Sequence, residues 1–181
     1  MRMKIDPADV LRFWRTVGPG KWFNGGADFD AACRAELGDA HLAASRRELD
    51  AWITAPDAAL ALVLLLDQLP RNIHRGSGHA FATDGLARLH ATTALENGFD
   101  MRVEPLLRFF FYMPFEHSET MADQARSLEL FEALGDAELL PYARAHLDVI
   151  ARFGRFPHRN AALGRINTPE EQAWLDAGGG F

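Results

Sequence analysis

The chain has 181 residues, 48% of them hydrophobic and 24% charged, with a net charge of −6 at neutral pH. That length is enough to bury a sizeable core, and the acidic balance excludes the broad basic face that general nucleic-acid or anionic-membrane binding requires. Its one cysteine, Cys33, excludes an internal disulfide and a cysteine-based zinc site and points to a reducing cytoplasm.

Taken in chain order, the apolar spacing is helical throughout. The start, MRMKIDPADVLRFW, is basic, but Asp6 and Asp9 interrupt the apolar run that a signal peptide needs. Asp6 and Pro7 read as the N-cap and first residue of a helix carrying Val10, Leu11, Phe13 and Trp14. GPGKWFNGG reads as a loop. Phe29, Cys33 and Leu37 then recur at helical spacing, and a further helix leads to Leu49, Trp52 and Ile53. Pro56-Asp57 opens AALALVLLLDQ, which is apolar on every side and is therefore the expected central helix. Its apolar run ends at Asp67, far short of the roughly 20 residues that cross a bilayer.

Thr83-Asp84 reads as the cap of a helix that ends at Asn97-Gly98. Pro105 to Tyr112 reads as a short aromatic helix, and Ser118 as the N-cap of a helix that Gly135 stops. Pro141 begins the next helix and Gly154 ends it. Thr168-Pro169-Glu170-Glu171 is a capping box with proline at the first position, opening a last short helix through Trp174. The closing GGGF, within 177–181, is expected to fray. The expectation is an all-α fold of about nine short helices, packed as helical hairpins around the central apolar helix in a single domain over residues 1–181. No repeat of fixed period appears.

Three charged stretches stand out against this apolar frame. Asp67-Gln68-Leu69-Pro70-Arg71-Asn72 places a carboxylate in what reads as the last turn of the central helix, where the helix dipole disfavours it. Arg71 or Arg75 is its expected partner, because a carboxylate leaving water must be paired. FEHSETMADQ brings Glu116, His117, Ser118 and Glu119 together at a helix start, with Asp123 and Gln124 one turn on. His117 there suits a general base, or a metal ligand with Glu119 or Asp123, although no metal or cofactor signature such as HExxH is present.

RFGRFPHRNAALGR, Arg152 to Arg165, crowds four arginines and His158 into an acidic protein. If Pro157 begins a short helix, Arg155, His158, Arg159, Asn160 and Arg165 surround an N-terminus suited to an anion. His146, on a face with Tyr142, Val149, Ile150 and Phe153, reads as a satisfied core histidine.

Three readings follow from these stretches. In the first, the protein is a binding module that grips a small anionic molecule or acidic peptide end through a carboxylate or phosphate. In the second, it is a small hydrolase or metal-dependent enzyme with His117 or His158 as base. In the third, the charged stretches form an internal structural network. None of the three implies a cofactor, a nucleic acid or a membrane as partner, and the oligomeric state is not legible.

The phrases VLRFW, KWFNGGADFD, LALVLLLDQ, DQLPRNIHRG, PFEHSE and RFGRFPHRNAALGR, in that order, resemble the bacterial family known as domain of unknown function 924. The resemblance extends over about Val10 to Leu175. It implies an all-helical fold of the tetratricopeptide-like superfamily, and it brings no activity and no functional residues with it.

Overall fold

Helix α1, Pro7–Val17, begins as its sequence dictates: the Asp6 side chain accepts from the Ala8 amide, and Asp9 reaches back to the Asp6 amide. The structure, a computed structural model, describes residues 5–181; the basic residues 1–4 that enter the signal-peptide argument lie outside the described residues. Among the described residues there are nine α-helices, five short 3₁₀ segments and no strand. None of these helices is long and apolar enough to cross a membrane.

The chain divides into two compact units. The first runs to Arg75 and resumes over His79–Pro114; the second comprises Gly76–Gly78 and Phe115–Phe181.

In the first unit the expected central helix is α4, Pro56–Ile73, counted after α1, α2 (Pro19–Trp22) and α3 (Gly26–Ser45). Every residue of α4 from Ala59 to Pro70 is buried. Packed around it are α1, α3, α5 (Asp84–Glu96) and the 3₁₀ segments Asp50–Thr54 and Pro105–Phe111. An all-round apolar helix is stable only when wrapped in this way, since each leucine removed from water contributes about 1.5–3 kcal/mol. The stretch read as the loop GPGKWFNGG contains α2. It buries Trp22, whose indole donates to the Trp14 carbonyl at 2.9 Å and lies edge-on to Phe110 at 5.1 Å.

Pro70 departs from the sequence expectation. It does not end α4, which continues to Ile73, so Asp67 lies nearly two turns from the helix end. A proline inside a helix removes the amide that would bond the carbonyl four residues back. Here that carbonyl belongs to Leu66, and the Thr83 hydroxyl donates to it at 2.5 Å. Thr83 precedes α5 as expected, but its side chain makes no capping bond because it serves α4.

Helix α6, Met113–Glu116, begins in the first unit and ends in the second, where α7 (Met121–Leu134) and α8 (Leu140–Phe153) form an antiparallel hairpin. The cap of α7 is Thr120, not Ser118: Thr120 Oγ1 accepts from the Asp123 amide, while the Ser118 hydroxyl donates to the Asp123 carboxylate at 2.5 Å. Pro157–Arg159 is a single 3₁₀ turn, too short for a helix N-terminal anion site, and α9, Pro169–Asp176, carries the expected capping box. Val149, Ile150 and Phe156 form one core cluster of this unit, with Phe153 and Trp174 packed on it.

The Pro70 arrangement has a measurable consequence. Thr83→Val should destabilise the protein by roughly 1–3 kcal/mol, the cost of leaving the buried Leu66 carbonyl without a donor. In a Pro70→Ala background the restored amide serves that carbonyl, so the same threonine change should cost much less. Urea unfolding of the two single variants and the double variant reads this coupling directly.

Candidate functional site

The candidate residues of the first unit form a paired cluster on α4. Asp67 is fully buried; Gln68 Nε2 donates to its Oδ2 at 2.7 Å, and Arg71 Nη1 stands 3.6 Å from its Oδ1. The Arg71 guanidinium also grips Asp84 with two bonds, at 2.9 and 3.0 Å, and lies 5.7 Å from the Phe81 ring centre. One arginine thus ties α4 to α5 through two carboxylates, a geometry in which a guanidinium fork is at its strongest. Arg75 goes elsewhere, with two bonds to Asp30 at 2.7 and 2.9 Å and one to Asn72 at 3.2 Å. The Asn72 amide donates back to the Gln68 carbonyl.

In the second unit the arginine-rich stretch separates into two kinds of residue. Arg155 clamps Glu171 with bonds of 2.6 and 2.7 Å and donates to the Ile166 carbonyl. Arg165 clamps Glu119 at 2.7 and 2.8 Å and donates to the Asn160 side chain and the Phe156 carbonyl. Asn160 joins the two clamps by donating to Glu171 at 3.3 Å and to Asn167 at 2.7 Å. The Glu119 carboxylate also accepts from the Phe156 amide. Burial alone would raise the pKa of Glu119, yet the Arg165 bonds and this amide hold it below the usual carboxylate value. Glu171 is held at about 2, by Arg155 first and then by the Thr168 amide and Asn160 against the opposing effect of burial. These four charged residues fix the loop between α8 and α9.

Arg159 is different. It is 6% exposed, and its guanidinium lies 4.5 Å from the Phe156 ring centre. Two imidazoles flank the same phenylalanine, His146 at 5.5 Å and His158 at 5.6 Å from its ring, and His117 lies 6.3 Å from His146. His146 Nδ1 stands 2.8 Å from the Tyr142 carbonyl, so that nitrogen carries the proton and Nε2 is left with a lone pair. Burial first, and then the neighbouring His117, Arg159 and His158, push the His146 pKa down to about 3 against the opposing bond to the Tyr142 carbonyl. The buried Glu116 is the carboxylate beside it, at 3.5 Å. Gln124 holds this turn by donating to the Glu116 and Ser118 carbonyls, both at 2.7 Å.

Two features escape the sequence reading. His146 looks like an ordinary core histidine in its helix, and only the hairpin brings it to His117. Phe181, expected to fray, stacks on the His146 ring at 3.7 Å and 12°. Away from these residues, a small open cavity of about 190 Å³ is lined by Arg34, Gly38, Asp39, Leu42, Ile73 and His74. It falls below the roughly 300 Å³ at which small-molecule pockets begin. Among the described residues, no group of three or more His, Cys, Asp or Glu side chains is arranged to hold a metal ion.

The titrations give a signed prediction. His146 has a folded pKa below its ordinary 6.5, so its contribution is complete above pH 6.5 and is lost as the pH falls toward 3. Glu171 is depressed from 4.5 to about 2, so its contribution is present above pH 4.5 and is lost below it. Urea midpoints should therefore decline through two overlapping acid windows, the His146 one opening at higher pH. His146→Phe should flatten part of the upper window, to which His41, His74 and His90 also contribute because burial lowers each. Glu171→Gln should flatten the lower window.

The chain is similar to solved and classified proteins over nearly its whole length. A structure of a protein of unknown function from Agrobacterium tumefaciens superimposes with a TM-score of 0.91 at 48% identity, covering 94% of this chain and 97% of the other. Comparison with curated proteins gives no match. The sequence profile described as bacterial protein of unknown function, DUF924, matches residues 10–179, and the chain belongs to that family.

Proposed function

We propose that the protein is a binding module and that the cluster of His117, His146, His158 and Arg159 takes the carboxylate or phosphate of a small anionic molecule. The observation that carries the proposal is Arg159, a guanidinium largely withdrawn from water and set on an aromatic ring that two imidazoles flank. Arginine suits the role because its planar fork meets carboxylate or phosphate with two bonds. Arg155 and Arg165 are matched one to one with Glu171 and Glu119 and complete the scaffold, which holds the 3₁₀ turn bearing His158 and Arg159.

The alternative of a small hydrolase with His117 or His158 as base has less support, since the hydroxyl next to His117, that of Ser118, is engaged by Asp123. The Asp67–Arg71–Asp84 cluster fits the structural reading, because its one guanidinium is held between the two carboxylates.

Thermal unfolding tests the proposal. Wild-type protein should show a rise in midpoint that saturates with phosphate or acetate at constant ionic strength, as specific binding to the folded state requires. A rise that grows linearly with concentration would reflect only general salt exclusion. Arg159→Ala should remain folded and lose the saturable part. If that variant instead loses roughly 3–5 kcal/mol, the cost of stranding a buried carboxylate, and no anion stabilises the wild type saturably, the cluster is scaffold.

A further inference from the structure

We propose that His41 and His74, with His79 beside them, form an acid-sensitive latch on the last turn of α4. Neutral, the rings hold the end of this helix to α3; as they charge, they release it while the middle of α4 stays folded. The latch lies within the first unit and is independent of the anion site, whose residues all belong to the second.

Three elements bring the rings together. His41 comes from α3, His74 is the C-cap of α4, and His79 lies in the 3₁₀ segment Gly78–Phe81. The His41 and His74 ring centres are 5.7 Å apart at 61°, and those of His74 and His79 are 5.6 Å apart at 47°. Neutral rings inclined in this way attract, edge toward face. Imidazolium ions in the same places repel, so protonation reverses the sign of the contact. His41 also stitches the two helices directly. It is buried, and its Nδ1 stands 2.8 Å from the Leu65 carbonyl of α4, so that nitrogen carries the proton and donates. The neutral ring already makes this bond, and a second proton brings charge to a buried place.

The surrounding charges oppose that proton. Arg34 of α3 donates to the Ile73 carbonyl and lines a cavity with His74, which fixes a cation beside the ring. Asp39 of α3 lines the same cavity and is the carboxylate facing His74. On α4 Arg71 is bound to Asp84, and just past the helix Arg75 is bound to Asp30. Asp39 does not reverse the balance: the His74 pKa is lowered, by burial first and then by His41, His79 and Arg34. Burial likewise lowers the pKa of His41, against the Leu65 bond. Both folded values lie below the ordinary 6.5, so this stabilisation is complete above pH 6.5 and is lost as the pH falls through it.

The last turn of α4 is also the part able to leave by itself. Pro70 has no amide to give the Leu66 carbonyl, so one bond fewer ties the final turn to the middle of the helix. The His74 amide closes that turn on the Pro70 carbonyl at 2.9 Å. The cavity of about 190 Å³, lined from α3 by Gly38 and Leu42 and from the end of α4 by Ile73 and His74, brings water up to the latch. Local opening is cheapest where buried contacts are few.

NMR titration of the histidine ring signals and amide hydrogen exchange along α4, in wild type, His74→Phe and Arg34→Gln, test the latch. His74→Phe keeps a ring and removes the charge; Arg34 is exposed, so Arg34→Gln supplies a folded variant even if the first does not fold. As the pH falls from about 7 to about 5, the wild-type opening constant at the His74 amide should rise. The rise is up to about tenfold per pH unit for each imidazole that takes its proton only in the open form. Amides from Leu62 to Leu66 should keep theirs. His74→Phe should raise the His41 midpoint and make the rise shallower, and Arg34→Gln should raise the His74 midpoint. If the end and the middle of α4 share one opening constant at every pH, the histidines act only on global stability and the latch is wrong. If the end opens separately, but neither variant moves a histidine midpoint or the pH dependence of opening, the rings are not what holds it, and the proposal falls.

Discussion

Complete burial of α4 is the constraint on which the first unit depends. A helix apolar on all sides has no face to offer water, so α1, α3, α5 and two 3₁₀ segments must close around it. The polar atoms that remain on such a helix then need partners from the surrounding elements. Pro70 leaves the Leu66 carbonyl without its helical amide, and Thr83 supplies a hydroxyl. Asp67 brings a carboxylate into the core, and Arg71 carries a cation to it and anchors that cation on Asp84. What looks in the sequence like a reactive constellation is the electrostatic consequence of putting this particular helix in the middle.

The second unit meets a different difficulty, a long irregular stretch between α8 and α9 with no regular backbone ladder to hold it. Side chains replace the ladder. Glu119 and Glu171 each take an arginine with two bonds, and Asn160 couples the two pairs. Charge-assisted bidentate bonds are stronger and more directional than neutral ones, so few of them fix many backbone atoms. The rigid turn that results presents His158 and Arg159 beside Phe156, while α8 presents His146 and the turn after α6 presents His117.

Much of this was legible from local chemistry. The all-α class, the central helix, the caps at Asp6 and Thr168 and the stops at Gly135 and Gly154 follow from apolar spacing and from side chains that bond within a few residues of themselves. The charged stretches could be named for the same reason, since a carboxylate on an apolar helix and four arginines in an acidic chain are visible without coordinates. Local rules misled where a distant partner competed. Ser118 lost its cap role to Thr120, which directly precedes the first residue of α7, and its own hydroxyl went to Asp123; Pro70 did not stop α4, where Thr83, thirteen residues on, replaced the missing bond.

Composition and periodicity by themselves therefore determined that this chain is helical, which segment lies at its centre, and which side chains carry charge that must be answered. Only the tertiary structure decided which arginine answers which carboxylate, that His146 stands beside His117, and that Phe181 rests on both His146 and His158. The reason is physical: helix formation depends on contacts three or four residues apart, whereas a guanidinium or an aromatic ring accepts any partner of suitable charge or shape, and packing alone determines which one comes within reach.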